Sequence, residues 1–141
     1  MTVTPHERPG EIIASQASQP EGVGSMSIST DSDDSDDGQV QFNSLIKQGV
    51  LTRQAASLSN NNTVSFTASG GFTRFWDNCS STPFLRNEEI KQVISYDDTE
   101  SFGLKAEFVR NSGMLGVNMF DVHGDSEQWD LIDSVRREWG L

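Results

Sequence analysis

A chain of 141 residues, 34% of them hydrophobic and with a net charge of −11, has room for one ordinary domain. Eight acidic residues and a single strong base, Arg8, fall before residue 39, which leaves −4 for the remainder. With no basic stripe, the chain is a poor match for a phosphate backbone, and nucleic acid is not an expected partner.

No run approaches the ~20 apolar residues of a membrane span, so no membrane partner is expected. The opening MTVTPHERPGEIIASQASQPEG has neither the basic nor the apolar region of a signal peptide. Cys79 is the one cysteine, which rules out an internal disulfide and leaves the redox compartment open. Two triplets, Asn61-Asn62-Thr63 and Asn78-Cys79-Ser80, have the acceptor pattern for N-glycosylation and matter only if the chain is secreted.

Residues 1–38 are rich in Ser, Gln, Pro, Gly and Asp and hold no aromatic residue. They bury too little to offset a backbone entropy of roughly 1–2 kcal/mol per residue, so a disordered acidic arm is expected. Within it, DSDDSDDG (31–38) half-matches a calcium loop from Asp33, but Ser44 stands where a bidentate Glu is required. No metal site and no cofactor are expected.

Order is expected from Val40. FNSLIKQGVL predicts a short helix capped by Asn43 or Ser44, with Leu45 and Ile46 inward and Gly49 as the stop. Polar residues 53–63 read as a loop. TVSFTA and GFTRFWD predict strands separated by a Ser69-Gly70-Gly71 turn, with Phe72, Arg74 and Trp76 on one face of the second. PFLRNEEIKQVISYDD predicts two more strands about Asn87-Glu88-Glu89. Asp98 to Asn111 predicts a helix with Asp98 as its N-cap, an apolar stripe of Phe102, Ala106 and Val109 broadened by Leu104 and Phe108, and Gly113 past its end. Tyr96 and Asp97, just before it, could face a site, though nothing local requires one. MLGVNMF predicts a buried strand, and WDLIDSVRREW an amphipathic helix with Leu131, Ile132, Val135 and Trp139 inward. Helix, strand, loop and helix make one turn of an α/β winding.

Between that strand and helix lie Asp121, His123 and Asp125. Asp121 and His123 share a face of an extended chain, which suits acid–base work or metal ligation. No third ligand or nucleophile stands at matching spacing, and Asp125 reads as a turn residue.

The stretches GFTRFWDNCSSTPFL, VISYDDTESFGLKAEFV and SGMLGVNMFDVHGDSEQWDLIDSVR resemble the C-terminal end of chitinases of glycoside hydrolase family 18, most closely those of fungi. The matching positions are Trp76-Asp77, Pro83-Phe84, Tyr96-Asp97-Asp98, Ser101, Lys105, Gly113, Gly116 and Gly124-Asp125. The resemblance is firm from Gly71 to Leu141 and loose over residues 40–70. It implies an α/β chain: the C-terminal fragment of a (β/α)₈ TIM barrel with part of the small α+β insertion, preceded by the disordered arm. Residues 40–96 would be the insertion remnant and residues 97–141 the last helix, strand and helix.

By the same resemblance Phe120 and Asp121 lie at the C-terminal end of the eighth strand, where barrel sites are built. Phe120 stands where many members have a Trp as the floor under the sugar, and Trp76 is a second aromatic suited to the cleft. Phe120, Asp121, Trp76 and Tyr96 are thus the substrate-binding candidates, with chitin or N-acetylglucosamine oligomers as the implied partner. The family hydrolyses the β-1,4 links of chitin with the substrate's own acetamido group as nucleophile and the last Glu of D-x-x-D-x-D-x-E as acid. That motif is absent: DSDDSDDG copies its spacing but ends in Gly38. A barrel also takes about 250 residues to close. The expectation is a chitinase-like chain with no catalytic residue and no activity of its own; the alternative is a non-catalytic carbohydrate-binding or protein-interaction module with an acidic arm. An unpaired barrel strand would also leave an open sheet edge for self-association.

Overall fold

Phe42 and Leu45 fall three apart, the spacing of one helical face, and both are buried on the inner side of α1, Phe42–Lys47. Gln41 is the cap rather than Asn43 or Ser44, and its carbonyl accepts the Ser44 and Leu45 N–H groups. Asn43 is engaged elsewhere: its side-chain amide donates to the carbonyl of His123, 2.5 Å away. Gly49 follows at φ 72°, a conformation glycine tolerates, and the chain turns directly into a strand. The computed structural model describes residues 27–29, 38–56 and 63–141, so the acidic run Asp31–Asp37 and the Asn60–Asn62 run lie outside the described residues.

Strand β1, Leu51–Gln54, pairs antiparallel with β2, Ser65–Ala68, in the register Leu51 to Ala68. Strands β3 (Thr73–Asp77), β4 (Thr82–Asn87) and β5 (Gln92–Ser95) form a second antiparallel sheet in that order. The glycine turn at 69–71 therefore links two sheets and closes no hairpin between its flanking strands. The reason is local. Ser69 donates its N–H to Val50 and its hydroxyl to Gly49, and at Gly70 a Cβ would come within 3.3 Å of the Gly49 carbonyl oxygen. This ties the turn to the start of β1. The expected 53–63 loop accordingly starts later, because β1 runs on to Gln54.

The two faces of β3 alternate as the two-residue period requires. Thr73, Phe75 and Asp77 point outward, while Arg74 and Trp76 are half-buried. Phe75 stacks on its cross-strand partner Phe84 with ring centroids 5.3 Å apart. On the inner face Leu85 and Ile94, paired across β4 and β5, are fully buried.

Helix α2, Thr99–Asn111, starts where expected. The Asp98 carboxylate accepts the Glu100 and Ser101 N–H groups, and the Asp98 N–H donates back to the Ser101 hydroxyl. This reciprocal capping box satisfies donors that the helix itself leaves unpaired. Ala106 is buried, but Leu104 and Phe108 are exposed, so the apolar stripe is narrower than its sequence suggests. Helix α3, Asp130–Glu138, buries Leu131 and Ser134. Its cap is supplied from a distance: Asp125 accepts the N–H groups of Ser126, Leu131 and Ile132.

Two expectations need correction. Ile28, inside the stretch read as a solvated arm through residue 38, is 2% exposed and belongs to the core with Phe42, Leu45 and Leu85. Its N–H donates to Gln92, and Ser29 makes two hydrogen bonds with the Gln48 amide. An averaged composition conceals a three-residue strap of this kind. Second, Met114–Phe120 is not a buried strand. It joins no ladder, Leu115 is 101% exposed, and only Met119 packs against the core. Its apolar pattern is that of a strand, but a strand needs a neighbour to satisfy its backbone groups, and no described strand pairs with it. The described residues make a partial α/β unit with two antiparallel sheets and no closed barrel.

Candidate functional site

The face of β3 that carries Arg74 and Trp76 meets the N-terminus of α2. Arg74 donates to Asp98 at 2.8 Å and to Glu100 at 2.8 Å, and its guanidinium lies 5.3 Å from the centre of the Trp76 ring. An inward-facing arginine on a strand requires a buried acid, and the helix cap Asp98 fills that role. A cleft of about 460 Å³ opens beside this pair, between β2, α2 and α3, and Phe66, Glu107 and Arg137 also line it. Arg137 reaches across to donate to the Thr63 hydroxyl. The sequence patterns single out neither Glu100 nor Arg137. The available signal is the alternation of Arg74 with aromatics on β3.

None of the four candidate sugar contacts lines that cleft. Trp76 lies next to it through Arg74. Tyr96 is in the core, its ring stacked on Phe42 at 6.4 Å. Burial, with the Asp98 carboxylate close by, pushes the Tyr96 phenol above its ordinary range. Its hydroxyl has no hydrogen-bond partner among the described residues. Asp97 holds Lys105 in an ion pair of 2.5 Å, which gives both matching positions a structural role.

Phe120 and Asp121 form a second locus. Phe120 ends the extended segment and is 96% exposed. Asp121 caps the 3₁₀ turn Val122–Gly124 by accepting the Gly124 N–H. His123 Nδ1 is 3.8 Å from the Asp121 carboxylate, and the His123 side chain is 92% exposed. No third His, Cys, Asp or Glu joins them into a metal-binding group among the described residues. The loop is held in place by α1, through the Asn43 bond to His123 and the packing of Gly124 against Gln41. Two loci therefore exist, an Arg74–Trp76 face and an exposed Phe120 tip, with the core residue Tyr96 behind the first.

The described residues thus form a partial α/β unit whose last extended segment joins no sheet and ends in an exposed aromatic. The sequence profile of glycosyl hydrolases family 18 matches residues 21–125, and the chain belongs to that family. The match begins inside the stretch read as an arm, in keeping with the burial of Ile28. The chain is 38% identical over 55 residues to chitinase A1 of Niallia circulans, a match covering 39% of this chain and 8% of that protein. It is 37% identical over 66 residues to a chitinase-like effector of Moniliophthora roreri, covering 47% and 16%. A solved chitinase from Rhizomucor miehei superposes with a TM-score of 0.56 at 22% identity, covering 72% of this chain and 24% of that one. At that identity the likeness speaks for the fold. The chain thus spans a minor part of the length of each of these relatives.

Proposed function

We propose that this chain is the sugar-binding end of a family 18 domain, with residues 40–96 as the insertion region and residues 97–141 as the barrel's last two helices joined by the extended Met114–Phe120 segment. In this reading it binds chitin or N-acetylglucosamine oligomers and does not cleave them. The observation that carries the reading is Phe120, almost wholly exposed where the extended Met114–Phe120 segment meets the polar Asp121 loop. An aromatic face beside a carboxylate gives a sugar ring a stacking surface and a hydrogen-bond acceptor. Trp76 is the second stacking surface, half-buried on the β3 face beside Arg74. Hydrolysis needs a general acid worth roughly 10²–10⁴-fold, and the sequence contains no D-x-x-D-x-D-x-E.

The test has two arms. Purified chain incubated with a chitin hexamer releases no product above buffer, and turnover would overturn the non-catalytic reading. Chitin beads retain the chain, and Phe120→Ala weakens retention about tenfold, from roughly 1.5 kcal/mol of lost apolar burial. Equal retention of both proteins would overturn Phe120 as the sugar floor. A second reading, a carbohydrate-binding or protein-interaction module that never took part in catalysis, is favoured by the identity with a chitinase-like effector. If the module binds protein rather than sugar, beads fail to retain the chain while a protein partner does.

The open segment adds a further expectation. Met114–Phe120 carries no charge, so nothing on it discourages edge pairing. The chain is expected to self-associate as concentration rises, and Leu115→Lys to abolish this in sedimentation velocity without lowering the melting temperature, since Leu115 touches nothing. A concentration-independent monomer would refute it.

A further inference from the structure

The acceptor triplet Asn78-Cys79-Ser80 takes no part in either locus. It lies at the tip of the β3–β4 hairpin, just beyond the last ladder pair, Asp77 with Thr82. All three residues are exposed, and the reversal is carried by Ser81 at φ 53°. The turn is held by Asp77, whose carboxylate accepts the Cys79 N–H at 2.9 Å and the Ser80 hydroxyl at 2.7 Å. Ser80 also lies 2.6 Å from the Thr82 hydroxyl. The Asn78 side chain contributes none of these bonds. A substituent on its amide therefore removes no contact that the hairpin uses, and it projects from the sheet into solvent.

We propose that Asn78 is an acceptor site for an N-linked oligosaccharide. In the transfer the Asn78 Nδ2 forms a bond to C1 of the first sugar of a lipid-pyrophosphate-linked oligosaccharide. The bond from C1 to the phosphate oxygen breaks, the lipid pyrophosphate leaves with that electron pair, and Nδ2 gives up one proton to a base of the transferase. Reading the triplet requires the Ser80 hydroxyl to leave Asp77, an exchange open to it because the contact is exposed to water. At the other triplet the Thr63 hydroxyl accepts from Arg137 of α3, also an exposed contact but one that joins positions 74 apart. Freeing it undoes a tie to α3, where freeing Ser80 undoes only a bond within its own turn, so the folded protein favours Asn78 over Asn61. The glycan also stands beside Cys79, the only thiol of the chain and an exposed one. It screens a group that would otherwise invite pairing between chains in an oxidising compartment.

The folded full chain is incubated with a purified single-subunit oligosaccharyltransferase and a lipid-pyrophosphate-linked oligosaccharide, and its intact mass and glycopeptides are read. The expected product carries one glycan, on Asn78. It is lost in Asn78→Gln and Ser80→Ala and retained in Asn61→Gln. A folded chain that stays unmodified, while a peptide spanning residues 75–83 is glycosylated under the same conditions, would overturn the proposal, as would a glycan found only on Asn61. Alkylation of Cys79 by a bulky maleimide slows several-fold in the glycosylated chain, and an unchanged rate would overturn the screening role.

Discussion

Leu85→Ala lowers the free energy of unfolding by about 2–5 kcal/mol, read as an earlier midpoint in a urea melt at unchanged slope. Leu85 is fully buried on the central strand β4, with Arg74 opposite it on β3 and Ile94 opposite it on β5. Two backbone ladders hold those neighbours, so the site collapses little when the side chain is cut back, and the cavity term adds to the lost transfer energy. A domain of this size has about 5–15 kcal/mol of total stability, so the variant sits near the edge of folding. Leu85→Met, similar in volume, costs less than about 1.5 kcal/mol. A Leu85→Ala variant within a few tenths of wild type would mean that the two sheets do not share a packed core.

The second large effect is at Asp130 and depends on pH. Asp130 is 5% exposed at the start of α3, and Arg53, 37% exposed on β1, donates to its two oxygens at 2.8 Å each. The Ser126 hydroxyl adds a third bond at 2.7 Å. Burial pushes the Asp130 carboxyl up, but Arg53 and Ser126 outweigh it and hold the group below the usual carboxylate range. Because the folded pKa is lower than the unfolded one, the contribution is complete above the ordinary Asp value of 3.8 and is lost as pH falls through the folded value. Arg53→Met removes both guanidinium bonds and costs about 1–2 kcal/mol at neutral pH, toward the low end for bonds to a charged group because Arg53 is partly solvated. Asp130→Asn also destabilises at pH 7, and its stability falls less steeply than that of wild type between pH 5 and 3. Parallel acid profiles for wild type and Asp130→Asn would remove Asp130 from the account of acid sensitivity.

Local rules carried the sequence reading where the physics is local. Asp98 stands directly before a helix-like run, and that placement alone specifies it as the N-cap, whereas the reciprocal bond with Ser101 came from the structure. The β3 alternation likewise places Arg74 and Trp76 on one face before any contact is known. The reading fails where the answer depends on partners far away in the chain. Ile28 is legible only once Gln92 and Gln48 are seen beside it. Strand β1 follows a tight glycine turn and offers four residues, too few for a period to declare itself. Met114–Phe120 has the pattern of a buried strand, yet burial belongs to the pair and not to the segment. Of the candidate site, the exposed Phe120 came from family resemblance, whereas the Arg74–Asp98–Glu100 cluster came from the fold.

The contacts that close the structure join residues far apart in sequence: Asn43 to His123 spans 80 positions, Arg53 to Asp130 spans 77, and Ile28 to Gln92 spans 64. Closing such loops is entropically slow, and folding rates fall as contacts become less local. During synthesis α1 emerges before the residues that cover it, and Phe42 waits until Phe66 and Tyr96 have been made. The loop after Phe120 is tied to α1 later still, once His123 has been made, so the exposed Phe120 tip is set after the sheets around α1 have formed.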